Sequence, residues 1–203
     1  MTETPLTLQE IYNLAYKTLI FNGCDKFNAE AVASTVTDAE RDGSISHGLF
    51  RIPGYVAALK SKKAKGNSKP SNIMLSQNVI RVDGDYGFAP VAIKVGIPKL
   101  TEITNKYGVG VLTIANTHHF AALWHETEAL ANENLIGIAC TAYKPSVAPA
   151  GAKKHCLELI LFHLLGQEKT TLQLYTIWLH QQWQWVRFKL QHVMVTKYLL
   201  VRA

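Results

Sequence analysis

Two stretches of this 203-residue chain hold side chains whose types and spacing could do chemistry. The first, ERDGSISHGLFR, runs from Glu40 to Arg51 and sets Ser46 beside His47, with Arg51 four residues further on. A helical turn after Gly48 would bring His47 and Arg51 onto one face. That trio suits a small carboxylate substrate. Arg51 can grip a carboxylate through two parallel hydrogen bonds. His47 titrates near neutrality and can pass a proton, while Ser46 can hold the imidazole in one orientation. The same spacing also fits a structural role, in which Ser46 caps the next turn, His47 is half-buried and Arg51 pairs with Glu40 or Asp42.

The second stretch, ANTHHFAALWHETE, spans Ala115 to Glu128. A strand that ends near Thr117 and feeds a helix from Ala121 leaves backbone N–H groups directed outward, a seat for a phosphate. His118, His119 and His125 do not read as a metal site, because adjacent histidines point in different directions. Phe120, Leu123 and Trp124 fit a core as readily as a cofactor contact.

The elements that must carry these stretches are legible from period and punctuation. Thr7 and Glu10 form a capping box ahead of Leu8, Ile11, Leu14, Ala15 and Leu19, and Gly23 supplies the stop. A second helix from Asn28 carries Ala31, Val32, Thr35, Val36 and Ala39 on one face. HGLFRIPGYVAAL reads as helical on either side of Pro53-Gly54. VIRVDGD, Val79 to Asp85, reads as a strand entering a turn. A helix over 89–107, a strand over 109–115, a helix over 121–134 and a strand over 135–142 follow. This order predicts a mixed α/β sheet with helices packed on it. Neither GxGxxG nor GxxxxGK[ST] occurs, so the Rossmann and P-loop fingerprints are absent.

Composition narrows the class. A hydrophobic fraction of 48% with 18% charged residues is that of a globular protein. The opening MTETPLTLQE has no apolar core of a signal peptide, and the longest apolar run, Leu157 to Leu165, is broken by Glu158 and His163. Three cysteines without a CxxC fit a reduced cytoplasm and no disulfide framework. The net charge of +6 owes much to KSKKAKGNSKP, Lys60 to Pro70, and to the tail. That cluster reads as a solvated loop with no interleaved aromatics for bases to stack on, so neither nucleic acid nor membrane is expected as a partner.

Taken together, AERDGSISHGLFRIPGY, RVDGDYGFAP, NTHHFAALW and APAGAKK resemble, in order and spacing, the malate/L-lactate dehydrogenase family of NAD(P)-dependent oxidoreductases. The resemblance covers Leu6 to Lys154 and implies the family's own non-Rossmann NAD(P)-binding α/β fold, here truncated. HHFAALW is similar to the branch that reduces cyclic imino acids, Δ1-piperideine-2-carboxylate and Δ1-pyrroline-2-carboxylate. A 2-hydroxyacid dehydrogenase of the malate/L-lactate type is the alternative, with a 2-keto acid as substrate. The resemblance implies His47 as proton donor, Ser46 as its relay partner and Arg51 as the substrate-carboxylate ligand. It places His119, Phe120, Ala121, Ala122 and Leu123 against NADP(H), with NAD(H) as the alternative, and it implies no metal. A homodimer is implied for the intact family, an expectation that the replaced C-terminal part undercuts in this chain.

The chain changes character at His155. All seven prolines precede it, and after it there is no Asp, Asn or Ser and a single glycine, Gly166. The family continues instead with Leu-(Phe/Tyr)-Gly-Thr-Asn-Pro and a strand ending in an aspartate. Trp183-Gln184-Trp185-Val186 must be encoded TGG CAR TGG GTN, and the frame beginning on each codon's third base compels an Ala and, two residues on, a Gly. In that frame His155 to Leu161 can be encoded to read Ala-Leu-Phe-Gly-Thr-Asn-Pro. Residues 1–154 therefore read as the N-terminal part of a reductase, and 155–203 as an out-of-frame, non-homologous tail expected to pack poorly or not at all. A reading of another class makes the chain a non-catalytic binding module with a basic, aromatic tail. It needs Lys169, Arg187, Lys189 and Lys197 on one face, and no 3.6-residue period places them there.

Inserting one G after the Lys154 codon should restore Ala-Leu-Phe-Gly-Thr-Asn-Pro and, with the downstream gene intact, a protein that binds NADPH. A soluble product of that insertion that neither binds NADPH nor reduces a cyclic imine or 2-keto acid would overturn the resemblance.

Overall fold

The computed structural model describes residues 5–119, 122–142, 159–168 and 171–180. Helix α1, Leu8–Phe21, starts where the Thr7 side chain accepts from the Glu10 N–H and the Glu10 carboxylate accepts from the Thr7 N–H. Gly23, at φ +98°, turns the chain. Helix α2, Lys26–Arg41, is capped by Asp25, whose carboxylate accepts from the Asn28 N–H at 2.8 Å. Its start lies two residues ahead of Asn28, because Asp25 satisfies the free N–H groups of the first turn. Ala31, Val32, Thr35, Val36 and Ala39 all face the core, as their spacing predicts.

Two 3₁₀ turns, Ile45–His47 and Leu49–Arg51, lead into helix α3, Ile52–Lys60. Pro53 does not divide this region; it occupies the first turn of α3, where its missing N–H costs no hydrogen bond. Strands β1, Ser71–Ser76, and β2, Val79–Asp83, form an antiparallel hairpin, and β2 pairs in parallel with β3, Val111–Ala115. Helix α4, Ala89–Tyr107, makes the crossover between β2 and β3 and ends at Gly108, left-handed at φ +81°. Helix α5, Trp124–Ala131, is shorter than its sequence period suggests. Strand β1 has no buried residue, so it lacks the alternation that would betray it; backbone pairing to β2 makes it a strand.

A second sheet holds β4, Gly137–Ala142, β5, Leu159–Glu168, and β6, Thr171–His180, in antiparallel order. Two strands therefore lie within the segment expected to pack poorly, and their backbone ladder does not test how the side chains of that segment pack. The 171–180 stretch is rich in Thr, Tyr, Ile and Trp, residues that suit a pleated strand whatever their origin, and the ladder needs only backbone groups. Lys154, Trp183 and Trp185 lie outside the described residues.

The main core joins α1, α2 and α3 to the start of α4 through Ala15, Leu19, Val32, Val36, Tyr55, Phe88 and Val91. Each fully buried Leu, Val or Phe among them contributes roughly 1.5–3 kcal/mol. A second cluster of Ile80, Leu100, Ile103 and Leu130 sits between the first sheet, α4 and α5. The lysine-rich loop is not merely solvated. Its lysines are exposed, but Ala64, Gly66 and Ser68 are buried beneath it. The Gly66 carbonyl accepts from the Asp25 N–H at 2.9 Å. Ser68 donates to the buried Asn28 side chain at 2.6 Å, and the Asn28 amide donates back to the Ser68 carbonyl at 3.0 Å.

This tether gives two expected outcomes in urea unfolding. Ser68→Ala removes the donor to a buried amide oxygen and should cost about 1–3 kcal/mol. Gly66→Ala should also destabilise, since a Cβ there overlaps the Gly23 carbonyl. Parent-like midpoints for both variants would show that the loop carries no structural load.

Candidate active site

The turn after α2 is shaped by a carboxylate. Glu40 Oε1 accepts from the Leu49 N–H at 2.7 Å, and the Glu40 side chain fills the space where a Cβ on the buried Gly48 would stand. Glu40 is thus committed to the backbone and Asp42 is held by Arg41, so neither pairs with Arg51. No carboxylate lies within salt-bridge distance of Arg51 among the described residues. Its Nε donates to the Ser46 carbonyl at 2.7 Å, and its guanidinium lies 5.9 Å from the Phe50 ring centre. The cation is anchored at one edge and lacks a counter-charge.

His47 Nδ1 lies 2.9 Å from Ser46 Oγ and 3.4 Å from Ser44 Oγ. With a hydroxyl donating to Nδ1, the neutral ring carries its proton on Nε2. Burial, and then the charge of Arg51, hold the His47 pKa below the ordinary histidine value. The 3₁₀ turns therefore bring together Ser46, His47 and Arg51, as the sequence reading of a functional trio requires.

Tyr55, one helical turn after Arg51, is buried with its ring edge-on to Phe88 at 5.1 Å and to His119 at 5.6 Å. Its hydroxyl lies 3.3 Å from His119 Nδ1. Burial pushes the Tyr55 hydroxyl up to about 12. His119 itself sits at φ +51°. Burial, helped by the charge of Arg51 and the neighbouring histidines, pulls its pKa down to about 4. Backbone bonds from the His118 N–H to the Gly87 carbonyl, 2.7 Å, and from the Ala89 N–H to the His118 carbonyl, 3.2 Å, fix this loop on the start of α4.

The three histidines of the second stretch diverge. His118 packs on Phe88, His119 on Tyr55, and His125 Nε2 meets Asp38 at 3.0 Å. Ala122 is buried and Leu123 half-buried, and no side chain caps the N-terminus of α5, where the His125 N–H donates to the Ala122 carbonyl at 3.1 Å. Phe120 and Ala121 lie outside the described residues. Tyr55 and Ser44 are site neighbours that the sequence reading passed over, and Trp124 was read there only as a core or cofactor contact. Tyr55 left a signal, its i,i+4 spacing from Arg51. Trp124 meets His47 from 77 positions further along the chain.

Residues 6–157 match the family model described as malate/L-lactate dehydrogenase. Over 154 residues the chain is 35% identical to the Δ1-pyrroline-2-carboxylate reductase 1 of Burkholderia ambifaria, a match covering 76% of this chain and 45% of the relative. It is 34% identical over 149 residues to the (2R)-3-sulfolactate dehydrogenase (NADP(+)) of Chromohalobacter salexigens, covering 73% of this chain and 44% of the relative. The crystal structure of Δ1-piperideine-2-carboxylate reductase from Pseudomonas syringae pv. tomato superposes with a TM-score of 0.79 at 28% identity, over 86% of this chain and 53% of that one. The chain thus spans under half the length of the curated relatives it matches. No helix among the described residues is long and apolar enough to cross a membrane.

The depressed histidines set a pH dependence. His119 is ordinary in the unfolded chain, near 6.5, and about 4 when folded. Between those values the unfolded state binds a proton that the folded state refuses. The stability contribution is therefore complete above about pH 6.5 and is lost as pH falls toward 4. Glu126, whose carboxyl burial pushes up to about 7, acts in the opposite sense over the same range. The His119 share is therefore read by difference: in urea unfolding between pH 7.5 and 4.5, His119→Asn, which tolerates the left-handed backbone, should lose less stability on acidification than the parent, and an identical pH dependence would place the titration elsewhere.

Proposed function

The chain belongs to the malate/L-lactate dehydrogenase family, and on that footing we propose that it is the N-terminal part of an NAD(P)H-dependent reductase of cyclic imino acids. The observation that carries the reading is Arg51, a cation without a counter-charge among the described residues, beside a serine-held histidine. The names of the relatives support the substrate class, Δ1-pyrroline-2-carboxylate or Δ1-piperideine-2-carboxylate. One relative's NADP(+) in its name supports NADP(H) over NAD(H). The absence of a Rossmann glycine fingerprint agrees with a family-specific cofactor site. A cytoplasmic location follows from the same cysteine usage noted above.

In this reading Arg51 binds the substrate carboxylate through its terminal nitrogens, leaving Nε on the Ser46 carbonyl. That orients the C=N bond toward His47. His47 delivers the proton from Nε2 to the imine nitrogen, and Ser46 holds the ring so that this nitrogen faces the substrate. A nicotinamide cofactor, when bound, supplies the hydride to the imine carbon. His119, Phe120, Ala121, Ala122 and Leu123 are the residues proposed to hold it. The start of α5, which no side chain caps, and the small, buried Ala122 fit that role, since a helix N-terminus and a short side chain allow close approach of a phosphate-bearing ligand. As Arg51 becomes paired, its depressing effect on His47 weakens, which favours the protonated donor.

We further propose that residues 155–203 are read out of frame. The family match ends at residue 157, three residues beyond Lys154, which supports that boundary. The 203-residue chain should then show no turnover, because the remainder of the cofactor site is missing and hydride transfer needs near-contact geometry. NADPH oxidation with Δ1-piperideine-2-carboxylate above a buffer control would refute this. In the protein restored by the one-base insertion, His47→Ala should lower kcat about 100-fold or more. Arg51→Lys should act mainly on KM, since an ammonium cannot reproduce a planar two-point grip. If His47→Ala stays within about threefold of the parent, far below a general acid's usual contribution, the proton donor is another group.

A further inference from the structure

Trp124 opens α5 and meets the turn that carries His47. Its indole is edge-on to the His47 imidazole, with ring centres 5.8 Å apart and planes at 82°. The indole N–H donates to Asp42 Oδ2 at 3.0 Å. Asp42 is the residue that closes α2, five positions before His47, so one side chain bridges the helix end that launches the catalytic turn and the helix that follows the cofactor loop. Asp42 is itself held fast. Arg41 Nε and Nη2 donate to its two oxygens at 2.7 and 3.0 Å.

The same guanidinium reaches Asp38 at 3.2 Å and Glu128 at 3.4 Å, and His125 Nε2 meets Asp38 at 3.0 Å. These contacts join α2 to α5 in one network. Exposed ion pairs taken singly contribute little, but a bidentate guanidinium shared among three carboxylates fixes geometry. An indole anchored to such a network at its N–H has little freedom to swing.

We propose that Trp124, anchored by Asp42, is a positioning residue for His47: its ring is the wall against which the imidazole is held. Ser46 fixes one nitrogen of the imidazole, and Trp124 limits the tilt of the ring and keeps water from that side. The two together leave Nε2 a single direction in which to deliver a proton. Among the described residues, the groups facing His47 are Ser44 and Ser46 from its own turn, Arg51 from the next, His119 from the loop after β3 and Trp124 from α5. Of these, Trp124 offers an extended apolar surface. The catalytic meaning of this contact rests on the reading of His47 as proton donor; the contact itself does not.

The experiment is an NMR titration of the His47 ring in the 203-residue chain, with His47→Gln identifying its resonances. The parent should show His47 protons displaced by the Trp124 ring current and a titration midpoint below that of a free imidazole. Trp124→Ala should abolish the displacement and raise the midpoint, because the ring then faces water. Trp124→Phe, which restores an aromatic ring without the N–H anchor, should recover only part of both effects. Asp42→Ala, which keeps the indole but removes its acceptor, should reduce the ring-current displacement, and it answers the question if Trp124→Ala does not fold. Unchanged His47 shifts and midpoint in Trp124→Ala, or an unchanged displacement in Asp42→Ala, would overturn the proposal. No substrate or cofactor enters this measurement, so failure of the reductase reading is seen separately, as absence of NADPH oxidation by the frame-restored protein.

Discussion

Tyr55 is the pivot of the molecule. Its ring is buried where the helical layer meets the loop above the first sheet, against Phe88 at the head of α4 and His119 beyond the end of β3. Those three residues come from separate parts of the chain, and each carries a site element with it. Arg51 and the His47 turn precede Tyr55 by a few residues, and His119 leads into the proposed cofactor segment. An aromatic of this size buries on the order of 150–250 Å², so displacing it would uncouple the two halves of the site. The hydroxyl's partner among the described residues, His119 Nδ1, makes the packing directional as well as apolar.

Around that pivot the site is electrostatically one-sided. Arg51 has no carboxylate partner among the described residues, and after burial its charge is the next cause that holds His47 and His119 below the ordinary histidine value. The nearest acids are committed elsewhere: Glu40 to the Leu49 N–H, Asp42 to Arg41 and Trp124. A pocket with a positive charge that its own carboxylates do not answer favours an anionic ligand. Binding such a ligand offsets the same charge that discourages protonation of the histidines. In the reading proposed for this site, substrate capture and proton readiness are coupled through one guanidinium.

The acids that do form pairs serve position. Asp38, Asp42 and Glu128 converge on Arg41, and His125 completes the set, tying the end of α2 to α5. Below them the Asn28–Ser68 pair ties α2 to the lysine-rich loop, and Gly66 lies close enough to Gly23 that no side chain fits between. Helix α2 is therefore fixed at both ends. The catalytic turn leaves its C-terminus already oriented.

The sequence by itself determined what depends on near neighbours. The Thr7–Glu10 box, the buried stripe of α2, the limits of α4 and the pairing of Ser46 with His47 follow from periods and short-range hydrogen bonds, which act within a few residues. The family resemblance came from ordered motifs, and the break at His155 from composition and coding. Strand β1 was not legible, since an exposed strand has no burial pattern and exists through its partner β2. Nor was the early start of α2, the burial of Ser68 under a run of lysines, or the pairing of β5 with β4 and β6. Which of two roles Arg51 plays was also undecided by spacing. Only the tertiary structure shows that Arg51 pairs with neither Glu40 nor Asp42, because a cation's partner is set by which carboxylates are free within reach, and those two are claimed by a backbone N–H, a guanidinium and an indole brought in from as far away as α5.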